Sequence, residues 1–310
     1  MAAGTIEIVA DLTEIQPHSP EWHRLRQIGI GGSDAPTACG LNNRYGRTPY
    51  TLWAEKVSEV PKFEDPDTEP EYLKWGKLLE APVREEFGRR TGLEITPFPR
   101  MVRNTELPFM LANVDGLTGP VNALSGVYEG KTSRNDWWNG TEVEVPIGYA
   151  VQGQHYLAVL GLDVVHYACL VGGQKLRIAE VARNDQLIED LIAIEADFWQ
   201  HVIDGTPPKV ESGDKPMLSR RWVGDETIEV DISEAVADEL RKRNRIQAQI
   251  STLEDARDAA DALIMSALGE ASVGRYRGDV AVTWKPTPET PVAAFVRKAG
   301  RRFLPKEVPA

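Results

Sequence analysis

The sequence predicts an α/β fold in which a sheet is flanked by helices and followed by a C-terminal region of helix and hairpin. Strand-like segments at 109–114 and 126–132 precede a helical pattern at 147–160, and a second pair of strand-like segments is again followed by a helical pattern. Beyond residue 212 the chain becomes a long helical pattern rich in Ala, Glu, Arg and Asp. We therefore expect two domains, residues 1–211 and residues 212–310.

Composition excludes several classes of protein. Of the 310 residues, 42% are hydrophobic and 26% are charged, which excludes wholesale disorder. No apolar run reaches the ~18 residues that span a bilayer, and no secretory signal is visible, so no membrane partner is expected. Two cysteines, Cys39 and Cys169, are too few for a disulfide framework and suit a reducing cytoplasm. The net charge of −12 by itself disfavours binding to nucleic acid. Salt screens exposed charges beyond roughly 8 Å, however, so a local basic groove would matter more for binding than the total charge.

The first block, residues 20–57, predicts a helix, a glycine-rich loop over 29–34 and a second helix. Ser33 or Asp34 can cap that second helix and leave backbone N–H groups facing an anion. An acidic stretch with prolines then predicts an exposed loop.

A helix is predicted from about Glu71 to Arg90, ending before Gly92. Glu80 lies on the same helical face as Val83 and Phe87. Because an uncompensated buried carboxylate costs on the order of several kcal/mol, Glu80 needs either a metal ion or a salt bridge to a neighbouring arginine. The sequence leaves both open.

The later elements have clear start and stop signals. The helix at 147–160 ends at Gly161 and carries Gln152 on an otherwise apolar face, either as a core amide or as a functional group. A hairpin over 164–181 turns at two glycines, and Asn184 caps the next helix. A helical pattern over 233–268 and a hairpin around Gly278 follow, and the tail is basic, either a solvated end or an arm that contacts phosphate.

The residues that indicate chemistry are Asp115, Glu129 and Lys131. Glu129 and Lys131 lie two apart on a predicted strand and so emerge on one face. Asp115 can meet them if its strand pairs with theirs. Carboxylates are hard oxygen ligands for a divalent metal, and an adjacent ammonium can help to manage an activated water. A lone Glu-x-Lys pair is nevertheless common on solvated strands.

The segment Gly130-Lys131-Thr132 superficially matches the end of a phosphate-binding loop. That motif requires glycine at position 125, where this chain has Ser125, and the preceding residues predict strand. An ATPase is therefore excluded.

The order Glu, Asp, Glu-x-Lys, Gln-x-Gln resembles the PD-(D/E)xK nucleases, and more narrowly the YqaJ-type phage recombination exonucleases, which are related to lambda exonuclease. The matching segments, over about residues 20–205, are Trp22-His23-Arg24-Leu25-Arg26, Gly31-Gly32-Ser33-Asp34-Ala35, Trp75-Gly76-Lys77 with Glu80, Asn113-x-Asp115-Gly116, Glu129-Gly130-Lys131-Thr132-Ser133-Arg134 and Gln152-Gly153-Gln154. One departure is Val114, which stands where the family motif has proline; that position ligates nothing.

The resemblance implies a restriction-endonuclease-like core with a mixed central sheet flanked by helices. It also implies one or two Mg²⁺ ions, with Mn²⁺ as a substitute, held by Glu80, Asp115, Glu129 and the Gly130 carbonyl. Lys131 would orient or deprotonate the attacking water, and Gln152 would place the nucleophile or a phosphate. Arg26 and Ser33 match residues that hold a terminal 5′-phosphate, and this role is favoured over the alternative of a surface arginine and an ordinary helix cap.

The expected activity is thus an ATP-independent, Mg²⁺-dependent exonuclease that degrades linear double-stranded DNA from a 5′ end in phage-type recombination. The expected partners are DNA ends, a single-strand annealing protein and further copies of the chain, in the cytoplasm of a bacterial host. An endonuclease and a non-catalytic DNA-binding protein remain alternatives, but a pure binder has no need of three clustered carboxylates that repel DNA.

Overall fold

The computed structural model describes residues 5–15, 19–42, 47–59, 71–120, 123–135, 138–139, 142–215, 218 and 229–286. The chain divides into two units, residues 1–217 and residues 218–310.

The first unit interleaves strands and helices along the chain. In the described residues its strands are β1 (Ile6–Asp11), β2 (Ile30–Gly31), β3 (Ile95–Thr96), β4 (Arg100–Asn104), β5 (Leu107–Ala112), β6 (Gly116–Thr118), β7 (Gly126–Ser133), β8 (Trp138–Asn139), β9 (Glu142–Val143), β10 (Val164–Val171) and β11 (Lys175–Ala182). Its helices are α1 (Pro20–Gln27), α2 (Ala35–Ala38), α3 (Pro49–Lys56), α4 (Glu71–Thr91), α5 (Ile147–Leu160) and α6 (Asp185–Ile203).

Two mixed sheets form the core of this unit. The five-stranded sheet has the order β11-β10-β7-β6-β3, with β10 and β7 parallel and the other neighbours antiparallel. The four-stranded sheet has the order β1-β4-β5-β2, with β2 and β5 parallel. Helix α4 packs on β7 and β10, and α5 packs on β4, β5 and β10. The predicted α/β fold, with a mixed sheet flanked by helices, is confirmed.

A buried polar contact fixes α5 against its neighbours. His155 is fully buried; its Nδ1 lies 2.8 Å from Glu195 Oε1 on α6, and its Nε2 lies 2.9 Å from the Leu111 carbonyl oxygen on β5. Burial alone would lower the pKa of His155, but the Glu195 carboxylate raises it above its ordinary value. The helix that carries Gln152 is thereby held to both a strand and a helix.

Most predicted elements are confirmed within two or three residues. Gly92 and Gly161 follow their helices with φ of 73° and 68°, a left-handed conformation that glycine adopts without strain. Asn184 caps α6 by accepting a hydrogen bond from the Leu187 amide at 3.1 Å. Because Gly40, with φ of 72°, interrupts the second helix predicted in the first block, that helix is instead two, α2 and α3.

The second unit contains a long helix, α7 (Glu234–Leu268), and a hairpin of β12 (Val273–Tyr276) and β13 (Asp279–Thr283). The helical pattern at 233–268 is therefore one continuous helix, and the hairpin around Gly278 is confirmed. The predicted basic tail lies outside the described residues. In the described part of the chain, no helix is both long and apolar enough to cross a membrane.

Candidate active site

Strand β7 presents the first two site residues. Because side chains two apart on a strand share a face, Glu129 and Lys131 emerge together, and Lys131 Nζ donates a hydrogen bond of 2.6 Å to Glu129 Oε1. Glu129 is only 3% exposed. Lys131 Nζ also lies 4.9 Å from the centre of the Tyr149 ring, a cation–π contact with α5. The pair is thus held in one geometry.

Asp115 joins them through strand pairing. It immediately precedes β6, which pairs antiparallel with β7. Its Oδ2 accepts a hydrogen bond of 2.9 Å from the Gly130 amide, midway between Glu129 and Lys131. The expectation that Asp115 meets the Glu-x-Lys pair is confirmed.

The electrostatics of the two carboxylates follow from burial and proximity. Burial and the Asp115 charge raise the pKa of Glu129 to about 7, although Lys131 opposes the shift. Burial also raises the pKa of Asp115, with Lys131 and the Gly130 amide opposing it. Burial alone would lower the pKa of Lys131, but Glu129 and Asp115 raise it, so the amine is held as an ammonium ion. A cation nearby would therefore stabilise the ionised forms of Glu129 and Asp115.

Gln152 connects helix α5 to this pair. It is buried, and its Nε2 donates to Glu129 Oε1 at 2.8 Å and to the Tyr156 hydroxyl oxygen at 3.0 Å. The amide therefore contacts a site carboxylate directly, which goes beyond an ordinary core amide bonded to backbone.

Glu80 lies on α4 at the edge of the same site. Its side chain is 45% exposed and lies 3.5 Å from Arg84 Nη1. Partial burial and the Asp115 charge raise its pKa, while Arg84 lowers it. The expectation of a carboxylate buried on an apolar face is therefore wrong: Val83 and Phe87 turn into the core, whereas Glu80 faces solvent and pairs with an arginine.

One cleft of about 480 Å³ is lined by Glu80, Asp115, Glu129 and Lys131. Its lining consists of Tyr72, Gly76, Lys77, Leu79, Glu80, Val83, Asp115, Glu129, Gly130, Lys131, Thr132 and Tyr149. Separate segments of the chain, α4, the loop before β6, β7 and α5, thus converge on a single cavity.

A divalent cation fits the donors of this cleft. Glu129 Oε2 is buried and has no hydrogen-bond partner among the described residues, and a buried oxygen of this kind gains from a ligand. The described side chains nevertheless contain no group of three or more acidic, His or Cys residues already assembled around a common point. Glu129 Oε1 is engaged by Lys131 and Gln152, and Glu80 is engaged by Arg84, so binding a metal would require these contacts to rearrange.

Arg26 and Ser33 lie together at a second, smaller cavity of about 60 Å³. Arg26 Nη2 donates to Ser33 Oγ at 2.9 Å and also pairs with Asp34 Oδ1. The Trp22 ring lies 4.8 Å from the guanidinium carbon. The predicted capping role of Asp34 is only partly correct, because its side chain makes no capping bond and the helix that it starts has four residues.

Asp34 is the buried centre of a charged cluster. Lys56 Nζ donates to its Oδ2 at 2.8 Å, and Arg47 Nη2 lies 3.8 Å from its Oδ1. Burial alone would raise the pKa of Asp34, but Arg26 and Lys56 hold it well below the ordinary range. The cluster fixes Arg26 beside Ser33.

Tyr156 connects the smaller cavity to Gln152. Its hydroxyl accepts the Gln152 hydrogen bond, and its ring lines the cavity that contains Arg26 and Ser33. A Cβ at Gly32 would lie 2.3 Å from the Tyr156 ring, so glycine is required there. The cavity of the predicted phosphate-binding pair is therefore connected to Glu129 through Tyr156 and Gln152.

Sequence reasoning assigned no role to Lys56, Tyr149 or Tyr156. Tyr156 carried a signal, since it lies four residues after Gln152 on the same helical face. Lys56 carried none, because it reaches Asp34 only through the tertiary packing of α3.

Comparison with known proteins gives two sequence matches. The profile of the YqaJ-like viral recombinase domain matches residues 21–163. An uncharacterized protein, YqaJ of Bacillus subtilis (strain 168), is 31% identical over 296 residues, covering 92% of this chain and 88% of its own length.

Solved structures give more distant matches. The alkaline exonuclease LHK-Exo from Laribacter hongkongensis is 17% identical with a TM-score of 0.47, covering 60% of this chain and 94% of its own. A phage-related exonuclease from Haemophilus somnus 129PT is 13% identical with a TM-score of 0.42, covering 59% of this chain and 98% of its own.

Proposed function

The chain belongs to the YqaJ-like viral recombinase family, and from this premise we propose that it is a Mg²⁺-dependent exonuclease that degrades linear double-stranded DNA from a 5′ end in phage-type recombination. The observation that carries this proposal is the cleft in which Asp115, Glu129 and Lys131 contact one another through strand β7.

The acidic residues of the cleft would hold the metal. Asp115, Glu129 and the Gly130 carbonyl would hold one Mg²⁺, and Glu80 would help to hold a second where two ions bind; Mn²⁺ has the same preference for oxygen ligands. When bound, Mg²⁺ would stabilise the negative charge that develops on the phosphate during cleavage. The orphaned Glu129 Oε2 and the raised pKa values of both buried acids support a cation there.

Lys131 would act as a fixed positive charge. Because its amine is held protonated by Glu129 and Asp115, we assign it the orientation of the attacking water and stabilisation of the transition state rather than proton removal. Gln152, through its bond to Glu129, would keep the carboxylate oriented.

Arg26 and Ser33 are proposed to bind the terminal 5′-phosphate. Guanidinium and hydroxyl groups suit a phosphate dianion, and their adjacency at 2.9 Å offers neighbouring donors. The single strand produced by digestion would then be available to an annealing protein in the bacterial cytoplasm.

Digestion of defined substrates tests the proposal. Purified protein is incubated with linear duplex carrying a 5′-phosphate or a 5′-hydroxyl and with closed circular DNA, each with Mg²⁺ or with EDTA. We expect digestion only of linear duplex with Mg²⁺, faster with the 5′-phosphate, and early loss of a 5′-end label relative to a 3′-end label. Cutting of circular DNA would instead identify an endonuclease, and binding without digestion a non-catalytic protein.

Lys131→Met tests the site within that assay. It should abolish digestion while leaving the circular dichroism spectrum unchanged, whereas Lys209→Met, at an exposed position outside the cleft, should retain full activity.

A second readout is thermal stability: Mg²⁺ at about 100 times its Kd should stabilise the wild type by about 2.7 kcal/mol and leave the stability of Asp115→Asn unchanged. Full activity of Lys131→Met, or equal stabilisation of Asp115→Asn, would refute the assignment.

A further inference from the structure

The long helix of the second unit has an uncovered apolar surface. α7 contains 35 residues, about 52 Å at 1.5 Å per residue, and every residue from 245 to 267 is exposed. Among them, Ile246, Ile250, Leu253 and Ile264 are between 42% and 69% exposed. Since helices of globular proteins bury one apolar stripe, an apolar stripe that the described residues leave exposed indicates a missing partner.

These four apolar residues follow the spacing of a coiled coil. Alternating steps of three and four residues define a stripe, which we call the seam, made of Val236, Glu239, Arg243, Ile246, Ile250, Leu253, Arg257, Ala260, Ile264 and Ala267. Steps of three and four keep one face of a helix against a partner helix. The seam runs almost the full length of α7, with its three bulkiest consecutive apolar residues at the centre.

The charged seam residues favour an antiparallel over a parallel pair of α7 helices. In a parallel pair of identical helices each seam residue meets its own copy, so Arg243 would meet Arg243 and Arg257 would meet Arg257, both repulsive. In an antiparallel pair centred on the middle of α7, Arg243 meets Ala260 and Arg257 meets Ile246. No layer then contains two like charges.

The same antiparallel register matches the charges of the two halves. Residues 241–245 contain four basic side chains, and residues 254–261 contain four acids and one arginine. Centring the pair between 251 and 252 brings each basic segment alongside the acidic segment of the other copy and places Ile250 against Leu253. Opposite charges across an interface fix its register and orientation.

From the exposed seam, its charge pattern and its symmetry about the helix centre, we propose that α7 pairs antiparallel with α7 of a second copy of this chain. The second unit is then an association module of the full-length protein, independent of the nuclease activity proposed for the first.

Cysteine cross-linking in the full chain tests both the partner and the register. Ile246 and Arg257 share a layer only in the antiparallel pair. An oxidised mixture of Ile246→Cys and Arg257→Cys should therefore give a covalent dimer, while each variant alone should give no more than the wild type, which carries Cys39 and Cys169. Ala248→Cys and Asp255→Cys lie at the same level on the outer face and form the matched control mixture.

We expect at least ~10-fold more dimer in the seam mixture than in the control mixture, because disulfides form only where Cα atoms approach within about 7 Å. Leu253→Lys should also at least halve the number of subunits measured by light scattering without lowering helix content. Cross-linking of either seam variant with itself, equal yields from the two mixtures, or an unchanged mass for Leu253→Lys would each overturn the proposal.

Discussion

Gln152 Nε2 lies 2.8 Å from Glu129 Oε1, so the side chain of helix α5 closes on the same carboxylate oxygen that Lys131 contacts from within strand β7. One oxygen of Glu129 is therefore fixed from two elements, while the other has no hydrogen-bond partner in the described part of the chain. This asymmetry orients the free oxygen for a ligand.

Replacing Gln152 tests that contact. Gln152→Ala removes a hydrogen bond to a charged group, worth about 1.5–3 kcal/mol, and so should lower the rate of DNA digestion roughly 10- to 100-fold. Gln154→Ala is the matched control, since Gln154 bonds only backbone, at Ala182 O and Asn184 N. It should lower Tm but keep the rate per folded molecule. Equal rates for the two variants would contradict the role of Gln152.

Glu80 should matter for activity and hardly at all for stability. It is 45% exposed, and within the described residues it pairs with Arg84 at 3.5 Å, a surface contact worth about 0–1 kcal/mol. Glu80→Gln should therefore leave Tm nearly unchanged and lower Mg²⁺-dependent digestion by about 100-fold or more, as expected for loss of several kcal/mol of electrostatic stabilisation.

The control for Glu80 lies on the same helix. Glu86 pairs with Arg89 and Arg90 away from the cleft, so Glu86→Gln should digest DNA at the wild-type rate. If Glu80→Gln were equally active, Glu80 would have no part in binding metal.

Gly32→Ala should disturb the cavity that Gly32 and Tyr156 line. The new Cβ would lie 2.3 Å from the Tyr156 ring, and overpacking of this kind costs about 1–3 kcal/mol. We expect a lower Tm and a weaker preference for 5′-phosphorylated over 5′-hydroxyl DNA, because Tyr156 lines the cavity of Arg26 and Ser33.

Gly148→Ala provides the comparison. Its Cβ would meet only Pro36 Cβ and Asn42 Oδ1, at 3.8 and 4.0 Å, and alanine is favoured over glycine in a helix by about 1 kcal/mol. This variant should be as stable as the wild type or more so. A Tm for Gly32→Ala at or above that of Gly148→Ala would show that the Tyr156 ring can move aside without loss of stability.

Asp34 should make stability depend on acid pH. Its pKa in the folded protein is held below 3.8 because Arg26 and Lys56 outweigh the effect of burial. A carboxylate whose pKa is lowered by folding contributes stability above its unfolded pKa and loses that contribution as the pH falls below 3.8. The free energy of unfolding, measured by urea denaturation, should therefore decrease below this pH.

Asp34→Asn separates this effect from those of other acids. At pH 7 it leaves the buried Lys56 and the partly buried Arg26 without their carboxylate partner and should cost about 3–5 kcal/mol. As the pH falls below 3.8, the difference from the wild type should shrink, because Asp34 of the unfolded wild type then takes up a proton while the folded carboxylate is still ionised, and this lowers the stability of the wild type. A difference that stays constant from pH 7 into this range would show that the loss is one of packing rather than charge.

The sequence by itself determined the elements and the local pairs. Strand periodicity put Glu129 and Lys131 on one face, helical periodicity put Gln152 and Tyr156 on another, and Gly92, Gly161 and Asn184 marked helix ends, because each of these depends on residues close together in the chain. The resemblance to a nuclease family then assigned a function to the order of the acidic residues along the chain.

Only the tertiary structure decided how these pieces meet. The pairing of Asp34 with Lys56, the contact of Gly32 with Tyr156 and the solvent-facing position of Glu80 all depend on how separate elements pack, which local spacing does not encode. Burial then set the electrostatics, since the pKa of Glu129 rises to about 7 only where the fold removes it from water beside Asp115.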